Sequence, residues 1–253
     1  MTGYEVTVGG VGVCEAYGAV VTGASIGDPE TKTYSVDIPG GDGAIDLTEA
    51  AAGQPVYSNR EIRVAMVVEA DREAFSALIT RIRSSMHGRR LPVECSWDPG
   101  YSYEGRVSIE VGASLPTAGE FEIVVDADPY KRKPDQTYKV RAGGGADVRL
   151  PSGRMRVSPV FECARPTVVT CNGVSATIPA GSHKVRGLHL HDGENRMYLN
   201  SAPDLTPSKW EEFAGAAWGD YAGMTWAEVA WRGHERPTGD QYDVFVTYEW
   251  GDL

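Results

Sequence analysis

The sequence predicts a mainly β protein built from two successive β domains. Three observations lead there. Thirty glycines and fifteen prolines punctuate 253 residues, the density of turns that a chain of many short strands needs. Runs rich in Val, Thr and Tyr recur between those breaks. A single stretch, residues 71–87, keeps a convincing helical period.

Residues 4–36 read as strands interrupted at Gly9-Gly10, Gly23 and Asp28-Pro29. An arm follows over residues 36–62, VDIPGGDGAIDLTEAAAGQPVYSNREI. Its ends alternate like strands, and the glycines after Pro39 allow a sharp reversal. Bulky apolar residues recur in it, which favours a long, ordered, hairpin-like excursion over a linker. Such an arm either packs on its own domain or reaches a neighbouring subunit. REIRVAMVVE (60–69) is a strong strand. In DREAFSALITRIRSSMHG, the residues Ala74, Phe75, Leu78, Ile79, Ile82 and Met86 fall on one helical face. Asp71 suits the N-cap, Gly88 a left-handed C-terminal cap, and the arginines near the end complement the helix dipole. This helix is expected to cover a sheet.

Leu91–Trp97 and Tyr101–Val111 read as a strand pair around Asp98-Pro99-Gly100, and Phe121–Ala127 as another strand. The charged, proline-bearing stretch 128–134 interrupts the pattern and places a domain boundary there, giving domains over 1–130 and 131–253. Residues 138–200 again read as short strands, with Asn172-Gly173 and Asp192-Gly193 as tight hairpin turns, so a second, smaller β-sandwich is predicted. Residues 209–232 hold three copies of an eight-residue unit, KWEEFAGA, AWGDYAGM and TWAEVAWR. Two readings stand: a loop whose tryptophans fold back on the sandwich, or an aromatic surface presented to protein or sugar through Trp210, Trp218, Tyr221 and Trp226. Tyr242–Tyr248 closes the chain as a strand.

Composition and motifs exclude several function classes. The net charge of −11 argues against a nucleic-acid clamp. No apolar run is long enough to cross a bilayer, and the N-terminal residues do not read as a secretory signal. Cys14, Cys95, Cys163 and Cys171 lack CxxC spacing and read as free thiols. His189 and His191, with Asp192 or Glu194, would need a third ligand at diagnostic spacing to hold a metal, and none is visible. Gly10-Val11-Gly12 has Glu15 where a dinucleotide loop needs its third glycine. No GxSxG, Walker-type loop or HExxH occurs, so neither an enzyme nor a cofactor is expected.

Six motifs in order resemble the phage distal tail proteins of siphovirus baseplates: Ile38-Pro39-Gly40-Gly41-Asp42-Gly43 with Ile45-Asp46-Leu47-Thr48; Tyr57-Ser58-Asn59-Arg60-Glu61-Ile62; Met86-His87-Gly88-Arg89; Asp98-Pro99; Tyr103-Glu104-Gly105-Arg106-Val107; and Asp128-Pro129-Tyr130-Lys131. The family often has arginine at the position of Gly41. Val169–Gly173, Gly187–Leu190 and the terminal YEWGDL are similar to its galectin-like second half. The resemblance implies a tail-tube-like N-terminal β-sandwich or barrel with one helix and the arm, followed by a galectin-like sandwich with the tryptophan repeat as an insertion. It implies a hexameric ring at the virion tail tip, assembled in the bacterial host cytoplasm. That ring would join the tail-tube protein to the tail-tip hub, with an acidic lumen that repels passing DNA. Ile38, Ile45, Leu47, Tyr57 and Arg60 are then the candidate subunit-interface residues. The rival reading is a carbohydrate-binding module that recognises host glycan through the C-terminal sandwich and the tryptophan repeat.

Overall fold

The structure is a computed structural model and describes residues 4–201 and 241–253. The described residues are mainly β, with 56% in strands and two helices among them. The chain divides into two compact units, Met1–Pro134 with Gly251–Leu253, and Asp135–Trp250.

In the first unit, β1 (Val6–Val8) and β2 (Val11–Gly12) lead into α1 (Val13–Tyr17) and β3 (Ala19–Ile26). A small ribbon, β4 (Ser35–Asp37) and β5 (Ala44–Asp46), precedes β6 (Arg60–Glu69), α2 (Arg72–Met86), β7 (Arg90–Cys95), β8 (Ser102–Ser114) and β9 (Ala118–Ala127). Seven strands form one antiparallel sheet in the order β3-β6-β9-β8-β7-β1-β2, and among the described residues it does not close into a barrel. The period-2 alternation of β6, β8 and β9 buries Ile62, Val64, Met66, Val107, Ile109, Phe121, Ile123 and Val125 on one face, as expected of a sheet covered on one side.

Helix α2 is the cover. Phe75, Ile79, Ile82 and Met86 are buried against the sheet, each worth about 2 kcal/mol of apolar burial. The Asp71 carboxylate accepts from the Ala74 N–H at 2.8 Å, and Gly88 takes φ 76° just beyond the last turn, the left-handed position that glycine occupies without strain. Leu78 is only half-buried and Ala74 exposed, so the covering stripe is narrower than the sequence pattern. The five-residue α1 replaces an expected strand. It starts where Gly12 is extended and stops at Gly18, whose N–H donates to the Cys14 carbonyl.

In the second unit, two four-stranded antiparallel sheets share one core. The first sheet has the order β15 (Gly181–Lys184), β12 (Val160–Cys163), β17 (Tyr242–Asp252), β10 (Lys131–Ala142). The second runs β11 (Ala146–Ser152), β16 (Gly193–Ser201), β13 (Thr167–Cys171), β14 (Val174–Ile178). Val140, Phe161, Val244 and Val246 of one sheet meet Leu150, Val169, Met197 and Leu199 of the other. Asn172 (φ 49°) and Gly173 (φ 78°) make the two-residue turn between β13 and β14, with Cys171 opposite Val174, the geometry their sequence predicts. Asp192-Gly193 is not a hairpin turn. Asp192 sits in a bend and Gly193 already opens β16; the buried Asn195 side chain closes the bend, accepting from the His191 N–H at 2.9 Å and donating to the His191 carbonyl at 2.7 Å.

The four cysteines are free. Burial, reinforced by the Asp98 carboxylate, pushes the Cys95 thiol up to about 12 from 9.0. A folded value above the unfolded one contributes stability that is intact below pH 9.0 and is lost as pH rises towards 12. The urea midpoint should therefore be lower at about pH 10 than at about pH 8, and Cys95→Ala should shrink the difference. A drop of the same size in the alanine variant would assign it to other groups.

Candidate subunit-interaction site

The arm leaves the N-terminal unit after β3 and returns at β6. Its foot is stitched by backbone bonds, Lys32 N–H to the Val56 carbonyl and Ser58 N–H to the Glu30 carbonyl, both 2.8 Å, with Thr31 bridged to Tyr57. Farther out, β4 and β5 pair with Val36 opposite Ile45, and the Leu47 N–H donates to the Tyr34 carbonyl at 2.8 Å. The Asp46 carboxylate accepts from the Thr48 N–H at 2.9 Å, and the Thr48 hydroxyl in turn accepts from the Tyr34 N–H at 3.1 Å. Hydrogen bonds from Thr48, first its hydroxyl and then its N–H, hold the Asp46 carboxyl below its ordinary value.

Residue alternation gives this ribbon two unlike faces. Tyr34, Val36, Ile38, Ile45 and Leu47 share one; Ser35, Asp37, Ala44 and Asp46 share the other. All five apolar residues are exposed, Ile45 by 52% and Tyr34 by 63%. A lone two-stranded ribbon has no core of its own, so its apolar face stays wet unless something covers it.

The remaining two candidates sit at the foot. Tyr57 is half-buried, edge-on to Tyr130 with ring centroids 6.0 Å apart. Arg60 is only 4% exposed. Its Nε and Nη2 donate to the Pro129 carbonyl at 3.0 and 2.6 Å, and its guanidinium lies 5.6 Å from the centre of the Tyr103 ring. The Tyr103 hydroxyl donates to Asp98 at 2.5 Å, and Lys131 approaches the same carboxylate at 3.4 Å. Burial and the bond to Asp98 together push the Tyr103 phenol up. Asp128 accepts from Arg90 at 2.5 Å and from Arg132 at 3.0 Å. Motifs far apart in sequence, at 57–62, 98–99, 103–107 and 128–131, thus converge on one anchor beneath the arm. The 86–89 motif pins the end of α2 to β8: His87 Nδ1 accepts from the Ile109 N–H at 2.9 Å, and Arg106 donates to the Gly88 carbonyl at 2.6 Å.

The open face of the sheet, away from α2, carries Glu61, Glu110, Glu120, Glu122 and Asp126. Arg63 reaches Glu61 at 2.6 Å, Glu122 at 3.2 Å and Glu110 at 3.7 Å. His189 bonds the Ser158 hydroxyl through Nδ1 at 2.8 Å, and burial, with the Arg156 and His191 charges, lowers its pKa. Among the described residues no three His, Cys, Asp or Glu side chains are grouped to hold a metal, and no helix is long and apolar enough to cross a membrane. Trp210, Trp218, Tyr221 and Trp226 lie outside the described residues.

An open antiparallel sheet braced by one helix, an arm with an exposed apolar face, and a two-sheet second unit define a modular β protein. Among solved structures, the chain is similar to the SPP1 Dit (gp 19.1) protein, presented as a paradigm of the hub adsorption apparatus in phages that infect Gram-positive bacteria: TM-score 0.62, 12% identity, covering 99% of both chains. That likeness shows a shared fold. A conserved protein of unknown function from Pseudomonas aeruginosa PAO1 matches at a TM-score of 0.25 and 10% identity, over 91% of this chain and all of that one, too weak to carry an argument. No protein-family model matches the sequence. No curated protein matches it either.

Proposed function

We propose that this chain is a structural protein of a phage tail tip. In this reading six copies form a ring that joins the tail tube above to the hub and adsorption apparatus below, and each arm covers part of its neighbour. The N-terminal unit builds the ring, and the C-terminal unit is a galectin-like sandwich. The carrying observation is the apolar ribbon face of Tyr34, Val36, Ile38, Ile45 and Leu47, exposed on a single chain. Closed symmetry would cover that face in every copy alike. The fold shared with SPP1 Dit supports the tail-tip assignment. The open sheet face, with its five carboxylates, is the surface such a ring would turn to its channel, where negative charge repels DNA.

The test is the double substitution I45D/L47D. Both residues are exposed, so folding should be unchanged, surface substitutions costing within about 0.5 kcal/mol. Sedimentation velocity should show the wild-type chain assembling and the variant remaining a monomer. A variant that assembles like the wild type, or a wild type that stays monomeric at high concentration, overturns the reading.

A further inference from the structure

We infer that Asn172 is a site of spontaneous deamidation, and that its contact with residues 189–195 sets the pace of the reaction. Of the asparagines Asn59, Asn172, Asn195 and Asn200, only Asn172 is followed by glycine. Glycine has no side chain to shield its backbone nitrogen, so in Asn-Gly that nitrogen attacks the preceding side-chain amide most readily. Asn172 and Gly173 are both exposed in the two-residue turn between β13 and β14. A Cβ added to Gly173 would meet nothing within 4 Å, so the turn is open to water on that side.

The reaction needs water alone. The Gly173 nitrogen bonds to Cγ of Asn172 and gives up its proton, the Cγ–Nδ2 bond breaks, and ammonia leaves. The succinimide ring so formed takes up one water at either of its carbonyls, giving aspartate or isoaspartate.

The bonding of the Asn172 amide restrains this step. Its Nδ2 donates to the His189 carbonyl at 2.9 Å and to Asn195 Oδ1 at 2.8 Å. For the ring to close, Cγ has to swing towards Gly173, and both bonds break. Asn195 is itself fixed. It is buried, its Oδ1 also accepts from the His191 N–H, and its Nδ2 donates to the His191 carbonyl and reaches those of Leu150 and Gly193 at 3.4 Å. The gate therefore lies in the segment that leads into β16, not in the turn that reacts.

The product undoes the same contact. A carboxylate at position 172 places an oxygen where Nδ2 stood, against the His189 carbonyl oxygen and Asn195 Oδ1, with no hydrogen among the three acceptors. Turning the Asn195 amide over would offer the carboxylate a hydrogen. It would also set Nδ2 against the His191 N–H and Oδ1 against the His191 carbonyl. Either arrangement leaves polar groups of this network unpaired, so deamidation loosens the tie between the β13–β14 turn and β16.

Peptide mapping by mass spectrometry tests this on the full chain, held in mildly alkaline buffer well below its melting transition, beside a peptide of residues 169–175. The folded protein should exchange NH2 for OH at Asn172, with isoaspartate among the products, about thirtyfold more slowly than the peptide, the effect of two ordinary hydrogen bonds. N195A removes one of the two acceptors and should react at least about fivefold faster than wild type. V169A weakens the core beside the same strand without touching the amide, and should keep the wild-type rate while folded. N172D makes the product directly, with a residue that tolerates the left-handed turn, and should lower the melting transition of the C-terminal unit by about 5–10 °C. The peptide comparison and N172D carry the test should N195A not fold. A folded protein that reacts as fast as the peptide has no gate, and one that never reacts while the peptide does has no site. Equal acceleration in V169A and N195A would assign the reaction to general opening of the sandwich and overturn the gate. An N172D protein that melts like the wild type would show that the product keeps the contact.

Discussion

Gly105→Ala should strongly destabilise the N-terminal unit, because the added methyl group meets backbone that cannot turn away. Gly105 sits on β8 opposite Ala127 of β9. A Cβ placed there would lie 2.5 Å from Val125 Cγ1, 2.7 Å from Ala127 Cα and 2.7 Å from the Asp126 carbonyl oxygen. Two of those three atoms are backbone, held by a ladder that runs from Gly105–Ala127 through Ile109–Ile123. No side-chain rotation relieves the clash, so the strands must separate. Overpacking a core ordinarily costs 1–3 kcal/mol, and here, with ladder bonds stretched as well, about 4 kcal/mol is expected. Calorimetry should show the transition of this unit lowered by about 15 °C. Gly112→Ala is the control. The nearest atom to its Cβ would be the Glu120 Cβ at 3.2 Å, near the free end of the same hairpin, and its shift should be about 2 °C or less. Equal shifts for the two variants would mean that the β8–β9 spacing is not what makes Gly105 necessary.

Gly105 also shows what the sequence could and could not convey. The motif Tyr103-Glu104-Gly105-Arg106-Val107 is visible by eye, but its reason is the approach of a strand some twenty residues away. Local rules worked where the cause was local. Asp71, the 3.6-residue period and Gly88 bracket α2 within a residue at each end, and Asn172-Gly173 sets its own turn. They failed where a distant partner decides. Val13–Tyr17 is helical although Val and Tyr suit strands; its first residue is drawn into the core. Asp192-Gly193 has the composition of a hairpin turn, yet Asn195 ties back to His191 and Gly193 opens β16 instead. Pro134 marked an interruption in the sequence, but β10 runs straight through it from Lys131 to Ala142, since the pairing of β10 with β8 falls at Arg132 and Ser102 rather than at the proline. The apolar face of the arm was legible as alternation, and its exposure was not. A sequence gives the same pattern for a ribbon buried on its own sheet and for one left bare.

Arg60 is the sharpest case, and its removal is the second large effect expected. As an arginine next to an exposed arm it reads as a surface residue, whereas it is buried and forked onto the Pro129 carbonyl, with Tyr103 beneath it. Hydrogen bonds made by a charged group contribute about 1.5–3 kcal/mol each, and removing one side of such a contact leaves the carbonyl without its donors. Arg60→Ala should therefore cost about 3–4 kcal/mol, lowering the melting temperature of the N-terminal unit by about 10–15 °C. Arg60→Lys keeps the charge but loses the planar fork, so roughly half of that loss should remain. The effect should also reach the arm, because Arg60 begins β6 where the arm ends and its partner Pro129 adjoins Tyr130, the ring packed against Tyr57. Below its melting temperature, the folded Arg60→Ala protein should show faster amide exchange at Lys32 and Ser58, the donors that stitch the foot of the arm. It should also need a higher concentration to assemble. Slowed or unchanged exchange there, alongside the predicted loss of stability, would make Arg60 a brace of the sheet alone and leave the direction of the arm to its own backbone bonds.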